Sequence, residues 1–131
     1  MTAEQNKELA TRTLTSLLKG DVEATLANMA DEISWMVPGN LPVSGLKKGK
    51  AAVAGFVKGV KQGFPEGLVP EIRKVHADGD TVIVELTNRG KTHNGKDYEN
   101  EYCCVFEIEG GKIRRMREYV DTQRVKEILF S

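Results

Sequence analysis

Residues 81–120 read TVIVELTNRGKTHNGKDYENEYCCVFEIEGGKIRRMREYV. Thr81–Thr92, Tyr98–Glu109 and Lys112–Val120 are rich in β-branched and aromatic residues, contain no proline, and are separated by Asn94-Gly95 and Gly110-Gly111. Asn-Gly between two such runs is the strongest short-range hairpin signal, so the stretch predicts three consecutive antiparallel strands. Just upstream, Leu68–Ala77 ends on an Asp78-Gly79-Asp80 turn and adds a fourth. The second half of the chain is therefore a meander of long strands.

Working outward, the first half has a different period. Ala10, Leu14, Leu17 and Leu18 form one stripe of a helix that begins near Ala3. Gly20 interrupts it, and Asp21 caps a second helix carrying Val22, Leu26 and Met29. Ile33–Val37, closed by Pro38-Gly39, reads as a short strand, and 38–49 as a loop with two prolines and three glycines. A third helix presents Val53, Phe56, Val57, Val60 and Phe64, and ends at Gly63 and Pro65. After the meander, Asp121 or Thr122 caps a short helix bearing Val125, Ile128 and Leu129. Helices followed by long antiparallel strands make one α+β domain, 1–131. Strands of this length must curve to enclose a core. With helices in the concavity they form a cone whose wide end is a natural pocket.

Composition narrows the function. The chain has 131 residues, with 19 Lys+Arg against 19 Asp+Glu. Zero net charge argues against nucleic acid as a partner, because displacing counterions needs a concentrated positive field. No run approaches the ~20 apolar residues of a membrane span, and the polar start, Met1–Lys7, is not a secretory signal. A cytoplasmic location with reduced thiols is expected. Cys103 and Cys104 are adjacent, so they point to opposite faces of a strand, and His76 and His93 fit no metal spacing. No metal and no cofactor are expected, there being no phosphate-cradling glycine loop.

Trp35-Met36-Val37-Pro38-Gly39, Ser44-Gly45 and Lys48-Gly49-Lys50 ahead of a helix resemble the first half of SnoaL-like domains. The second half is carried by Tyr98–Tyr102, Val105-Phe106, Gly111-Lys112-Ile113 and Arg117–Asp121. The ordered set is similar to the ketosteroid-isomerase-like, or nuclear-transport-factor-2-like, superfamily. This resemblance implies a cystatin-like cone, pairing as a homodimer through the outer sheet face, and a ligand pocket, but no particular reaction. Limonene-epoxide hydrolases place an aspartate acid or base where this chain has Glu118. Their arginine and second aspartate fall on Glu85 and Thr87, their tyrosine and asparagine on Trp35 and Val37. The proton-shuttling aspartate of steroid isomerases falls on Met36, which cannot take a proton from carbon. SnoaL-type polyketide cyclases again point to Glu118.

Strand alternation gives a list of its own. If Glu118 faces inward, so do Met116 and Val120, while Arg115, Arg117 and Tyr119 face out. On the neighbouring strand the inward set is Asn100, Tyr102, Cys104 and Phe106. On the next it is Ile83, Glu85, Thr87 and Arg89, an assignment taken from the resemblance, since Val82, Val84 and Leu86 make an equally apolar opposite face. Glu118 and Glu85 would then be two carboxylates in one hollow, raised in pKa by burial and repulsion as acid–base catalysis requires, with Tyr102 as a hydrogen-bond donor. The bland alternative pairs Glu85 with Arg89. Trp35 reads as lining or core. His93, His76, Lys47, Lys48 and Lys50 read as solvated, and Cys104 has no base beside it. Three functions fit: an acid–base enzyme (isomerase, cyclase, dehydratase or hydrolase) on an apolar oxygenated molecule, a non-catalytic binding domain, and a protein-association module.

Overall fold

Thr2 opens the first helix, α1 (Ala3–Leu18), with a capping box in the computed structural model, which describes residues 1–130. Its hydroxyl accepts from the Gln5 N–H at 3.1 Å, and the Gln5 amide oxygen accepts from the Thr2 N–H at 2.9 Å. Leu9, Ala10, Leu14, Leu17 and Leu18 bury the predicted stripe. Asp21 caps α2 (Val22–Ala27) by accepting from the Ala24 N–H at 3.1 Å. Met29, expected on the α2 face, instead opens β1 (Met29–Val37), where it lies beside Ile113. That strand is irregular between Met29 and Ser34, which hides its first half from a test of alternation.

The expected loop 38–49 holds a further strand, β2 (Gly45–Lys48), antiparallel to the end of β1. Helix α3 follows (Gly49–Gly63), and then the meander of β3 (Val69–Asp78), β4 (Thr81–Lys91), β5 (Asp97–Glu109) and β6 (Lys112–Val120). Asp121 accepts from the Arg124 N–H at 3.2 Å and caps α4 (Thr122–Leu129). The sheet is curved and unclosed, in the order β2-β1-β6-β5-β4-β3, and only the β1–β6 pairing is parallel. Helices α1 and α3 fill its concave side, burying Leu14, Leu17, Val53 and Val57 against Trp35, Leu86, Phe106 and Met116.

One inward set is corrected by the register. Val82, Val84, Leu86 and Asn88 stand opposite Phe106, Cys104, Tyr102 and Asn100, and all eight share the concave face. Ile83, Glu85, Thr87 and Arg89 are on the outer face. The cause is the turn. Thr92 donates its N–H to the Lys96 carbonyl at 2.9 Å, so the loop is the three residues His93–Gly95, with Gly95 at φ +80°. A two-residue Asn94-Gly95 loop would have paired His93 with Lys96 and set Glu85 opposite Cys104. One residue more in the loop turns every side chain of β4 over.

Candidate functional site

The wide end of the cone is a cavity of about 710 Å³. Leu17 and Leu18 end α1 on one side of it, and Ala52, Phe56, Gly59, Val60 and Gly63 give it a face of α3. Val125, Leu129 and Phe130, at the end of the chain, close another side. The sheet contributes Val37, Lys47, Tyr98, Tyr102, Glu118 and Val120. In this hydrocarbon shell a few polar groups stand out.

Glu118 is opposite Cys104 in the β5–β6 pairing, and only 7% of it is exposed. Its carboxyl has no hydrogen-bond partner among the described residues. Burial pushes its pKa from the ordinary 4.5 up to about 7, against the opposing pull of Lys47. Lys47 sits opposite Trp35 in the β1–β2 pairing. Its ammonium donates to the Val43 carbonyl and, at 3.3 Å, to the Gly45 carbonyl, and lies 4.8 Å from the centre of the Phe56 ring. Burial lowers the Lys47 pKa, and the charge of Glu118 partly restores it.

On the neighbouring strand β5, along the same sheet wall, the Tyr98 and Tyr102 hydroxyls are 2.6 Å apart. Asn100, 3% exposed, donates its amide to the Tyr98 oxygen at 3.0 Å and to the Asp121 carbonyl at 3.1 Å. Its own oxygen accepts from the Glu101 N–H at 2.9 Å. Burial holds both phenols above their usual pKa, Tyr102 well above it, so both stay protonated across the neutral range.

The predicted residues divide into three groups. Glu118, Tyr102 and Val120 line the cavity. Asn100 lies behind the lining and fixes Tyr98, while Cys104, Phe106, Met116 and Trp35 are core beneath it. Trp35 packs on Phe56 with ring centres 5.2 Å apart, and its buried indole N–H has no partner among the described residues. The outer-face set leaves the site altogether. Glu85 is 3.3 Å from the His76 ring, not paired with Arg89, and its side chain is 46% exposed. Thr87 bonds Arg73 and Glu101, and Arg89 binds Glu71 and Glu99. The pair of carboxylates in one hollow is thereby corrected to a single one.

Of the polar residues that line the cavity, Tyr98, Lys47, His93 and Gln62 were not placed there by the sequence. Tyr98 could have been found by extending the Asn100–Tyr102 alternation one step. Lys47 read as solvated because β2 was read as loop. His93, at the mouth, read as an ordinary hairpin residue. Among the described residues, no three His, Cys, Asp or Glu side chains gather as metal ligands, and no helix is long and apolar enough to cross a membrane.

Residues 10–116 match the family described as SnoaL-like domain. Of the curated proteins, none matches. Solved structures do. A nuclear-transport-factor-2-like protein of Burkholderia xenovorans is 25% identical over 98% of both chains, with a TM-score of 0.79. A protein of Bacillus subtilis assigned by inference as an isomerase is 25% identical, covers 98% of this chain and 95% of its own, and has a TM-score of 0.80. One from Xanthomonas campestris pv. campestris, assigned by inference as a polyketide cyclase, is 23% identical over 96% and 97% with a TM-score of 0.82, a likeness of fold.

Proposed function

Because this chain belongs to the SnoaL-like domain family, we propose that its cavity binds an apolar, oxygen-bearing small molecule and that Glu118 moves a proton on it. The observation that carries the reading is a carboxyl on a hydrocarbon wall with no hydrogen bond to satisfy it. Its pKa of about 7 leaves both forms populated near neutrality, which suits a group that must accept a proton in one step and return it in another. Lys47 and the Tyr98–Tyr102 hydroxyls are the groups that would steady negative charge developing on a ligand oxygen. Isomerisation, dehydration, cyclisation and hydrolysis are all within reach of this set. The names of the Bacillus and Xanthomonas relatives fall in the same range.

The test does not need the natural substrate. Purified protein is incubated with a panel of apolar ketones and esters in D2O, and exchange at the carbon beside the carbonyl is followed by NMR. Exchange by wild type, lowered about 100-fold or more in Glu118→Gln, is the expected result. The outward placement of Glu85 favours a second reading, in which the domain holds its ligand without turnover. Saturable binding with no exchange by wild type would select that reading. Pairing of two copies through the outer face, where Met36 and Tyr119 are exposed, belongs to the same proposal and is read by the mass of the particle in solution.

A further inference from the structure

Resting on the reading that the cavity binds a small molecule, we infer that this molecule is an apolar organic monoanion, seated with its oxygen between Lys47 and the Tyr98–Tyr102 pair and taken up together with a proton on Glu118. The argument is a count of donors. An ammonium has three N–H groups. Lys47 gives two of them to Val43 and Gly45 and makes no ion pair within 4 Å among the described residues, although it lines the cavity. The two phenols have two O–H groups, and one is consumed between them whichever ring donates. The Tyr98 oxygen already accepts from Asn100. One phenolic proton is therefore left over at the wall that both rings line.

The groups facing Glu118 are Lys47 from β2, and Tyr98, Tyr102 and Cys104 from β5. From α1, α3, α4 and Phe130 the cavity receives apolar residues, glycines and Gln62, and His93 stands at the mouth. Among the described residues, its only acceptor of full charge is Glu118 itself. A half-buried cation without an ion-pair partner among the described residues and a spare O–H leave an unmet demand for a negative oxygen. An anion placed there repels the Glu118 carboxylate and favours the neutral acid.

Isothermal titration calorimetry at about pH 7 tests this with three ligands of similar frame: 2-naphthoate, the acidic enol 2-hydroxy-1,4-naphthoquinone, and the neutral methyl 2-naphthyl ketone. At least one anion is expected to bind about tenfold or more tighter than the ketone, and the tighter anion tells carboxylate from enolate. Comparing heats in phosphate and Tris should show about half a proton taken up per anion, because Glu118 is about half ionised there, and none in Glu118→Gln. Lys47→Met should erase the preference, with an unchanged circular dichroism spectrum and thermal midpoint reporting an intact fold, and Lys47→Arg should keep it. A ketone that binds as tightly as both anions, or anion binding without proton uptake by wild type, overturns the inference and leaves the cavity reading standing. If none of the three binds, both fall.

Discussion

Glu118 lines the cavity together with Val37, Val120, Phe56 and the two tyrosines, and its carboxyl has no hydrogen bond among the described residues. Such a group prefers to be neutral, and that preference is written into stability. Unfolded, it titrates near 4.5; folded, near 7. Between those values the folded chain holds a proton that the unfolded chain has lost. Stability from this group therefore falls as pH rises from about 4.5 to about 7 and is level above. Glu118→Gln removes the dependence, so the stability of the variant relative to wild type should grow by up to about 3 kcal/mol across that window. Urea titrations at about pH 4, 6 and 8 check it, and a constant difference would count against a buried, unbonded carboxyl. Glu118 could be singled out from the family position it occupies, and alternation then sets Met116 and Val120 on the same face. Lys47 could not. Its ammonium meets the cavity only because β2 lies antiparallel to β1 with Lys47 opposite Trp35, and a four-residue strand with two lysines gives too short a pattern to read.

Single turns decide the faces of whole elements here. All four strands of the meander could be read from β-branched content and turn residues, and their limits hold to within a residue or two. The face of β4 could not, because Asn94-Gly95 fits both a two-residue loop and the last two positions of a three-residue one. Residue type leans toward the face the structure buries, Val82, Val84 and Leu86 over Ile83, Glu85, Thr87 and Arg89, but only the pairing register fixes it. A second constraint on this strand is sterically sharp. Gly90 lies under the connection from α3 to β3, where Gly67, at φ +77°, lets Leu68 donate its N–H to the Leu18 carbonyl at 2.7 Å. A Cβ on Gly90 would come within 2.9 Å of Leu68 Cδ2 and 3.1 Å of the Gly67 carbonyl oxygen. Gly90→Ala should destabilise by about 1–3 kcal/mol in urea unfolding, since the nearer obstacle is packed and the other is backbone. An unchanged midpoint would show that this connection yields freely.

At the scale of the whole molecule, the cavity exists because α3 keeps small residues where it faces the open end. Ala52, Gly59 and Gly63 line the space, and nothing lies within 4 Å of a Cβ built on Gly59 or Gly63. Glycine in a helix interior costs about 1 kcal/mol against a good helix former. Gly59→Leu recovers that and fills part of the void, so the thermal midpoint should rise by about 3–5 °C. The same change should weaken binding of an apolar probe such as methyl 2-naphthyl ketone about tenfold or more. A variant that gains stability and keeps its affinity would place ligands somewhere else.

The sequence by itself determined the α+β class, the helices and the cap at Asp21, the strands of the meander and the inward side of β5 and β6, because these follow from periodicity and capping chemistry within a few residues. Which side of β4 meets the core, and with it the number of acids in the hollow, was decided only by pairing, since one residue in a turn inverts a strand without changing its composition. So too was the meeting of Lys47, Glu118 and the two tyrosines. Their distance in sequence is bridged by the strand order β2-β1-β6-β5, and a strand order is a property of the assembled sheet that no single segment encodes.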